Sequence, residues 1–518
     1  MTVRYDVAII GCGPTGAVAA CLLGQAGLSV YVCDRSKEVY DKPRAMALDH
    51  EIMRIFQQLD LAAEIEPWVE PFTPSEYFGV DGQLIRRLTM AEPPYPLGYT
   101  PSMVFSQPPV ERALRNRATS MANVSVELGV ELVSLAQDGE RVCLAMRDGS
   151  RGEQTVEASF VIGCDGATST TRSLIGVSLD DLDFDEPWLV VDVLVNDRGM
   201  ARLPTTSVQY CEPDRPCSYL IGTGNHRRWE LSLGPDEDPV EAATSSATWR
   251  LLARWLSPDD GELWRQASYR FHALVARDWR LGRVFLAGDA AHQQPPFLGQ
   301  GMCQGIRDVA NLAWKLADVS GGIASGFMAE ELLDSYGLER STHVRALTAR
   351  IKDIGATICE RDPVAARQRD RRLLAECDGV VRDTPRQDLM PGLDAGWLSQ
   401  HHTSGRGVMF PQPWLSHCER GKQRMDDVLS YGWRLIIADA SLPMPVARHR
   451  LAVLRLGRGA YCECDGVVQT WMNNHRCSAA VVRPDHYVFG VASSEADLES
   501  LLDEWETLCG IVEMDVAR

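Results

Sequence analysis

Residues 6–34, DVAIIGCGPTGAVAACLLGQAGLSVYVCD, decide the fold of this chain. The apolar run 7–10 predicts a buried strand, and residues 17–26 have the amphipathic pattern of a helix. A second apolar run, 28–33, predicts another strand that ends at an acidic residue. Strand, glycine turn, helix and strand together indicate a Rossmann-type α/β unit.

The glycines of the turn have distinct roles in such a unit. Gly11 allows the tight turn, Gly13 lets the backbone approach a pyrophosphate, and Gly16 lets the helix lie close to the strand. The helix start offers unpaired N–H groups and the positive end of its dipole to the phosphates. Asp34 follows at the end of the second strand, where it can accept the ribose hydroxyls of an adenosine. The pattern predicts dinucleotide binding rather than an ordinary strand-turn-helix.

Length and composition narrow the class of protein. The chain has 518 residues, 45% hydrophobic and 24% charged, which predicts roughly two to four globular domains. A net charge of −19 argues against nucleic acid and against an anionic membrane surface as partners. No apolar run approaches about 18 residues and the first residues are typical of a strand, so we expect a cytoplasmic protein. The 15 cysteines include no CxxC pair and indicate free thiols.

Two further turns follow predicted buried strands. Asp165-Gly166 comes after the strand that ends at Gly163, and Gly288-Asp289 comes after a strand at residues 284–287. Behind the second turn, a loop at residues 295–301 leads into a predicted helix over residues 304–319. A glycine-bearing loop that enters a helix predicts a second anion-stabilising site.

The rest of the chain predicts the domain organisation. Residues 76–99 and 181–272 alternate in polarity, which favours an antiparallel sheet that walls a substrate pocket. We expect this sheet to be inserted into the nucleotide-binding domain. The expected domains are nucleotide binding at 1–75, 100–180 and 273–357, substrate binding at 76–99 and 181–272, a helical linker at 358–400, and a C-terminal domain at 401–518.

The three turns resemble, in order and spacing, the fingerprints of the group A FAD-dependent monooxygenases. The closest resemblance is to the branch of 3-(3-hydroxyphenyl)propionate hydroxylases and the related phenol and polyketide hydroxylases. It extends over most of the chain, including PPFLGQGM at 295–302 and VVRPDHYVFG at 481–490. It implies a glutathione-reductase-like FAD domain with an inserted antiparallel sheet and a thioredoxin-like C-terminal domain. Without a CxxC pair, that last domain is expected to serve packing or subunit contact, with a homodimer as one arrangement.

The resemblance also implies roles for individual residues. Asp34 is expected to hold the adenosine ribose, Asp289 the ribityl chain, and Asp165 to support both FAD and NAD(P)H binding. At Cys303 many relatives have asparagine, which leaves a side-chain contact there in doubt. The implied FAD-binding residues are Gly11, Gly13, Pro14, Thr15, Gly16, Asp34, Arg35, Arg44, Gln107, Asp165, Gly288, Asp289, Pro295, Gly299, Gly301 and Met302.

The implied reaction is aromatic hydroxylation. The chain has one Rossmann fingerprint and no CxxxxC pair, so NAD(P)H is expected to bind transiently, reduce the flavin and leave. Reduced flavin and O2 would form a C4a-hydroperoxide that is attacked by a phenolic ring, for example that of a 3-(3-hydroxyphenyl)propionate-like acid. The alternatives are a larger fused-ring, quinolone or polyketide substrate, and a flavoprotein that binds a ligand or partner without turnover. Halogenation is disfavoured because no WxWxIP stretch occurs.

The sequence does not single out a catalytic base. The candidates are His50, Tyr210, Tyr219 and His226, each with ordinary burial or exposure as the alternative. A substrate carboxylate could be received by His226-Arg227-Arg228 or by Arg215, with a solvated charge cluster as the alternative.

Two other groups of residues have weaker claims to function. For His292 a loop-fixing role is the alternative to function. Cys462, Cys464, His475 and Cys477 match no zinc spacing, so no metal site is predicted.

Overall fold

The computed structural model describes residues 4–149, 152–417, 421–429, 431–439, 441–457 and 461–509. At its centre, strand Arg4–Ile10 pairs in parallel with Val30–Asp34 on one side and with Gly152–Gly163 on the other. The helix Pro14–Gln25 packs between Gln107–Ser120 and Gly301–Ser320 on this sheet. The predicted α/β fold is therefore confirmed in its coarse form, as a mixed sheet with a parallel centre that is covered by helices.

The Rossmann elements begin slightly differently from their sequence predictions. The helix starts at Pro14 rather than at residue 17, because proline is suited to the first helical turn and Gly13 precedes it. The second strand starts at Val30 rather than at residue 28, because the Ser29 N–H donates to the Asp6 carboxylate instead. In the full sheet, the strands lie in the order Arg280–Leu281, Val284–Leu286, Gly152–Gly163, Arg4–Ile10, Val30–Asp34 and Val124–Leu128. The meander Val130–Gln137 and Val142–Asp148 extends it along Gly152–Gly163.

A second, nine-stranded sheet faces the nucleotide-binding half. Its longest strands, Leu179–Val195 and Gly261–Ala276, pair antiparallel along their length, with Trp188 opposite Tyr269. The sheet order is His292–Gln293, Gly261–Ala276, Leu179–Val195, His226–Ser232, Cys217–Ile221, Ser207–Tyr210, Ser75–Phe78, Leu84–Thr89 and Asp383–Pro385. The strand Asp383–Pro385 comes from residues 358–400, so this stretch, predicted to be a helical linker, also contributes to the sheet.

A four-stranded sheet forms the centre of the C-terminal region. Its order is Leu451–Arg455, Trp433–Ile437, Ala479–Val482 and Val488–Ala492, with the first pair parallel and the others antiparallel. Two three-stranded sheets complete the strands: Ala47–Asp49, Ser102–Phe105 and Val69–Pro71, and Gly421–Arg424, Trp414–His417 and Cys462–Glu463.

The remaining helices connect and cover these sheets. Leu48 lies in the strand Ala47–Asp49, and Asp49 caps the helix that follows. The remaining α-helices are His50–Gln58, Ala62–Ile65, Thr170–Leu174, Asp197–Met200, Pro239–Ala242, Ser245–Leu252, Gly326–Cys359, Pro363–Ala375, Met425–Val428, Val467–His475 and Glu495–Leu508. The 3-10 helices are Glu66–Trp68, Pro258–Asp260, Gly288–Ala290, Pro296–Leu298 and Arg386–Leu389. No helix in these described ranges is long and apolar enough to cross a membrane.

Candidate active site

The backbone of the glycine turn leaves no room for side chains at two positions. Gly11 has a φ of +100°, and a Cβ there would lie 2.4 Å from the Cys164 carbonyl oxygen. A Cβ on Gly16 would lie 1.9 Å from the Gly11 carbonyl oxygen, so this glycine lets the helix lie on the strand. Gly13 differs, because a Cβ there would meet nothing within 4 Å. The space in front of Gly13 is free for a ligand, where the motif places a pyrophosphate.

Asp34 faces a cavity of about 990 Å³. Its Oδ2 accepts the Cys12 N–H at 2.7 Å, and its Oδ1 accepts the Ser36 N–H at 2.7 Å. Each carboxylate oxygen has two lone pairs, so both can also accept a hydroxyl. Residues from all three predicted motifs line this cavity, among them Gly11, Gly13, Asp34, Arg35, Arg44, Asp165 and Asp289.

Arg115 is a cavity residue that the sequence analysis missed. Its Nη2 donates to Glu111 at 3.0 Å and lies 3.8 Å from the Asp34 carboxylate. Its Nε and Nη1 are buried and have no hydrogen-bond partner among the described residues. Buried donors without an acceptor are costly, so this side chain fits a polar or anionic cofactor. The signal that could have found it is its place two turns after Gln107 on one helix.

Gln107 fixes the loop that carries Arg44. Its Oε1 accepts the N–H groups of Arg44 at 3.1 Å and Ala45 at 2.7 Å, and its Nε2 donates to Glu111. The Arg44 side chain remains 52% exposed and borders the cavity. Gln107 therefore positions Arg44 through the backbone, while direct contacts of either side chain to FAD stay predictions.

Asp165 holds its own turn together. Its Oδ1 accepts the Ser169 hydroxyl at 2.5 Å, and its Oδ2 accepts the Thr171 N–H at 2.8 Å. Arg172 donates from Nη1 to the Ala290 carbonyl oxygen at 2.8 Å, which ties this turn to the Gly288-Asp289 turn. The two distant motifs are thus joined in one structure, and the contribution of Asp165 to FAD and NAD(P)H binding stays a prediction.

The Gly288-Asp289 turn is held from behind by Asp308. This buried carboxylate accepts the Gly288 N–H at 2.9 Å and lies 2.8 Å from His292 Nε2. The structure thus supports the loop-fixing alternative for His292. Asp289 instead points into the cavity, with no hydrogen bond to a described residue, and its surroundings raise the pKa of its carboxyl through desolvation.

Thr15 explains two of the glycines near this turn. A Cβ on Gly288 would lie 2.8 Å from Thr15 Oγ1, and one on Gly305 would lie 2.4 Å from the same atom. The glycine-turn helix can therefore approach both the Gly288-Asp289 turn and the later helix closely. Side chains at either glycine would force these three elements apart.

The loop before the later helix differs from its prediction. The helix begins at Gly301, three residues earlier than expected, so its N-terminus lies directly at the loop. Gly299 has a φ of +62°, and a Cβ there would lie 2.6 Å from Ala47 Cβ. The Cys303 thiol lies 3.7 Å from the Ala47 carbonyl oxygen. The Cys303 side chain therefore packs against the backbone of a neighbouring strand.

A second cavity of about 420 Å³ lies next to the first and shares Gly13, Arg44 and Asp289 with it. One wall comes from the loop and helix start, the other from the nine-stranded sheet. Pro296, Gly301 and Met302 lie on the loop side, and Val190, Glu230 and Phe271 lie on the sheet side. This is the place where a flavin ring and a substrate could meet.

The two tyrosine candidates for the base lie in the apolar cluster that includes Trp229 and Leu231. The Tyr210 hydroxyl accepts the Trp255 indole N–H at 3.1 Å, and the Tyr219 hydroxyl donates to the Pro204 carbonyl oxygen at 3.3 Å. Neither residue is part of the lining of the second cavity. Their placement supports the burial alternative.

The two histidine candidates are also absent from that lining. His226 is buried with its Nε2 2.7 Å from Asp192, and burial lowers the pKa of its imidazole. His50 lines a separate cavity of about 230 Å³ with Leu298 and Gln300, and burial lowers the pKa of its imidazole to about 4. Neither imidazole therefore lines the second cavity, between the sheet and Gly301.

The arginines proposed for a substrate carboxylate are buried or paired. Arg227 and Arg228 are 7% and 5% exposed, so the alternative of a solvated charge cluster is wrong for these two residues. Arg228 makes two hydrogen bonds to Asp192, at 2.7 and 3.1 Å. Arg215 makes a bidentate pair with Glu237.

The residues considered for metal binding do not form a cluster in the described part of the chain. No group of three or more histidine, cysteine, aspartate or glutamate side chains there could hold a metal ion. Cys462 and Cys464 are exposed, and His475 Nδ1 pairs with the Ser404 hydroxyl at 2.7 Å.

The fold and the three joined motifs define a flavoprotein of the Rossmann class. The free space at Gly13, the unpartnered Arg115 donors and the Asp289 carboxylate fit FAD. Residues 4–351 match the family FAD_binding_3, described as "FAD binding domain". The chain belongs to this family, and the predicted membership of the group A FAD-dependent aromatic monooxygenases is confirmed.

Two similar proteins are named as hydroxylases. The chain is 36% identical over 516 residues to a "Probable NADH-specific resorcinol 4-hydroxylase" of Rhodococcus jostii (strain RHA1), covering 96% of this chain and 94% of the relative. It is 32% identical over 524 residues to a 3-(3-hydroxy-phenyl)propionate/3-hydroxycinnamic acid hydroxylase of Burkholderia cenocepacia (strain HI2424), covering 94% and 93%. The protein is an FAD-dependent monooxygenase that hydroxylates aromatic rings, as predicted.

Solved structures show the same fold over the full length. The flavin-dependent monooxygenase PieE, in complex with FAD and substrate, matches with a TM-score of 0.81 at 20% identity, covering 98% of this chain and 99% of that one. Aklavinone-11 hydroxylase matches with a TM-score of 0.78 at 20% identity, covering 97% and 99%. At this identity the likeness concerns the fold alone.

Proposed function

We propose that the protein hydroxylates resorcinol or a closely similar one-ring phenol, with NADH as the reductant. The observation that carries this proposal is the similarity, at 36% identity over nearly the whole chain, to a probable NADH-specific resorcinol 4-hydroxylase. The second cavity supports it. Its 420 Å³ would be shared with the ring of the cofactor, which leaves space for a small substrate.

The chemistry that FAD supplies when bound is hydride uptake from a nicotinamide and activation of O2 for transfer of one oxygen atom. The chain's own residues would bind and orient the cofactor and shield it from water. Asp34 would hold the adenosine ribose, and Gly13 would leave room for the pyrophosphate. Asp289 is free to accept the hydroxyls of the ribityl chain. The N-terminus of Gly301–Ser320 would favour negative charge on the ring edge nearest to it.

A second candidate function is hydroxylation of an aromatic acid. It is favoured by the similarity, at 32% identity, to 3-(3-hydroxy-phenyl)propionate/3-hydroxycinnamic acid hydroxylases. The cavity argues against it, because Arg228 is paired with Asp192 and Arg270 with Asp185. A substrate carboxylate would compete with those buried or bidentate partners. We therefore rank this candidate second.

The sheets of the molecule support the domain organisation expected for such a hydroxylase. We infer that the nine-stranded sheet is the substrate-binding domain, because one of its faces lines the second cavity. We also infer a thioredoxin-like C-terminal domain, since its four-stranded sheet has a parallel pair, antiparallel neighbours and flanking helices. The expected boundaries at residues 358–400 and 401–518 remain proposals, as do a cytoplasmic location and a homodimer.

The test uses the purified holoenzyme with its bound FAD. NADH and NADPH oxidation are measured with and without resorcinol and 3-(3-hydroxyphenyl)propionate, and the products are identified by mass spectrometry. We expect resorcinol to accelerate NADH oxidation and to gain one oxygen atom. A hydroxylated acid with no resorcinol product would favour the second candidate. Slow flavin reduction with every phenol would contradict both and favour a binding protein without turnover.

A further inference from the structure

Glu230 is a buried carboxylate on the wall of the second cavity. It lies on the strand His226–Ser232, where alternate side chains point to opposite faces. Trp229 and Leu231 pack into the apolar cluster on one face, while Arg228 and Glu230 line the cavity on the other. Glu230 is only 3% exposed, yet its side chain borders open space. It therefore faces the same volume as the loop residues of the candidate flavin site.

This carboxylate has no partner in the part of the chain that the structure describes. Its neighbour Arg228 donates to Asp192 rather than to Glu230, at 2.7 and 3.1 Å. Burial raises the pKa of the Glu230 carboxyl to about 7, with Arg228 acting in the opposite direction. A buried carboxyl without a hydrogen-bond partner is costly, so the missing donor is expected from a ligand.

The cations around this cavity are already paired. Arg228 and Arg265 both bind Asp192, and Arg270 makes a bidentate pair with Asp185.

His272, Arg44 and Asp289 also lie on the walls of this cavity. His272 Nδ1 lies 3.4 Å from Asp185, and Arg44 lies 3.6 Å from Glu111. Glu230 and Asp289 are the two lining carboxylates that make no ion pair or hydrogen bond with a described residue. The cavity therefore suits a hydrogen-bond donor better than it suits another anion.

We propose that Glu230 accepts the hydrogen bond of a ring hydroxyl of the substrate and so selects neutral phenols over aromatic acids. This inference rests on the proposed function, and it specifies the substrate class for that site. A hydroxyl provides the donor that the buried carboxylate lacks, whereas a substrate carboxylate would be repelled by Glu230. Because Glu230 shares a cavity with Pro296 and Met302, the bound ring would lie beside the candidate flavin site.

The test measures ligand binding to the FAD-loaded protein by isothermal titration calorimetry, without NADH, at about pH 8.5, where a carboxyl with a pKa of about 7 is ionised. The probes are resorcinol, its dimethyl ether 1,3-dimethoxybenzene, and 3-hydroxybenzoate. We expect the wild-type protein to bind resorcinol roughly tenfold or more tightly than either of the others, because a hydrogen bond to a charged group is involved. Equal affinity for resorcinol and its ether, equal affinity for the acid, or no binding of resorcinol would each overturn the proposal.

The variant Glu230→Gln has the same shape without the negative charge. We expect it to lose most of the preference for resorcinol over the ether and to bind 3-hydroxybenzoate more tightly than the wild type does. Glu230→Asp keeps the charge but withdraws it by one methylene, and should show an intermediate preference. Glu262→Gln, on the exposed end of another strand of the same sheet, is the matched control and should bind as the wild type. FAD content and circular dichroism establish that each variant is folded.

The outcomes separate this inference from the proposed function. If the wild-type protein selects the hydroxyl and Glu230→Gln does not, but no phenol is hydroxylated, the proposed reaction is wrong while the role of Glu230 stands. If resorcinol is hydroxylated and Glu230→Gln keeps the full wild-type preference, the role of Glu230 is wrong. Should the variants fail to fold, the wild-type comparison of the three probes still decides the selection of neutral phenols.

Discussion

Arg54 and Asp426 form a bidentate ion pair with no exposed surface on either side chain, although 372 residues separate them. Arg54 donates from Nε at 2.5 Å and from Nη2 at 3.0 Å. Arg434 donates to the same carboxylate at 2.8 Å. Because Arg54 lies on the helix His50–Gln58, just after the loop that carries Arg44, the C-terminal region is anchored directly to the nucleotide-binding half.

Loss of that carboxylate should destabilise the protein strongly. Asp426→Asn leaves Arg54 and Arg434 buried without a counter-charge, so we expect a loss of about 3–5 kcal/mol in the free energy of unfolding. Urea denaturation followed by tryptophan fluorescence measures it. Asp427→Asn is the matched control, since Asp427 is exposed and accepts one amide hydrogen bond from Gln57. Similar losses in the two variants would contradict a structural role for the buried pair.

Gly13 should be needed for the cofactor and not for the fold. In Gly13→Ala the new Cβ meets no protein atom within 4 Å, and an alanine at this helix boundary is sterically allowed at a φ of −71°. The methyl group would instead occupy the space of the pyrophosphate. We expect unchanged circular dichroism with at least a tenfold loss of FAD affinity, measured by flavin absorbance after dialysis. Gly139→Ala, also with an open Cβ position, should keep its FAD; equal FAD content in the two variants would refute the assignment.

The tight turn at Gly11, the close packing at Gly16 and the buried strands on either side could be predicted because they depend on neighbouring residues. Gly11 and Gly16 act within one turn, and the apolar runs on either side decide which strands are buried. The start of the later helix was missed because Gly301 is typical of a loop in sequence. In the structure, the helix begins there at the end of the Pro296–Leu298 turn.

Contacts between distant segments account for the parts that the sequence did not predict. Glu230 follows His-Arg-Arg-Trp on an alternating strand, a pattern typical of a sheet with one solvent face. Here both faces are covered, so a residue expected in water lines a cavity. The strand Asp383–Pro385 and the partners of Arg54 likewise depend on docking between segments hundreds of residues apart.

Acidification should weaken the fold through buried histidines. His343 Nδ1 lies 3.0 Å from Arg340 Nη1 and its Nε2 lies 3.0 Å from the Pro391 carbonyl oxygen, which suits a neutral imidazole. Burial lowers the pKa of His343 well below its usual value. The unfolded chain therefore takes up a proton near pH 6.5 that the folded protein does not, and stability falls as the pH decreases from there.

The contribution of His343 can be measured by urea unfolding at pH 7 and pH 5. We expect the wild-type free energy of unfolding to decrease over this range. In His343→Gln the decrease should be smaller by up to about 1.4 kcal/mol per pH unit, since one titrating group is removed. The control is His402→Gln, because His402 is exposed. An identical pH dependence in wild type and His343→Gln would show that His343 is not a source of the effect.

Arg386 lies in the stretch 358–400, for which the sequence predicts a linker. We expect this arginine to hold the conformation of the loop 295–301 beside the candidate flavin site. Its Nη2 donates to the Leu298 carbonyl oxygen at 2.6 Å, and its guanidinium lies 4.4 Å from the centre of the Phe72 ring. Arg386→Gln is too short to keep both contacts, so the Leu298 carbonyl would lose a charged donor, at a cost of about 1–3 kcal/mol to the loop conformation.

That cost should appear in function more than in folding, because Leu298 lies three residues before Gly301, where the helix Gly301–Ser320 begins beside the candidate flavin site. We expect Arg386→Gln to retain its circular dichroism, to bind FAD severalfold more weakly, and to form less hydroxylated product per NADH oxidised. Flavin titration and product quantification measure the two effects. Arg382→Gln, an exposed arginine four residues earlier, should match the wild type in both. If Arg386→Gln matched it as well, the hydrogen bond to Leu298 would have no part in holding the loop.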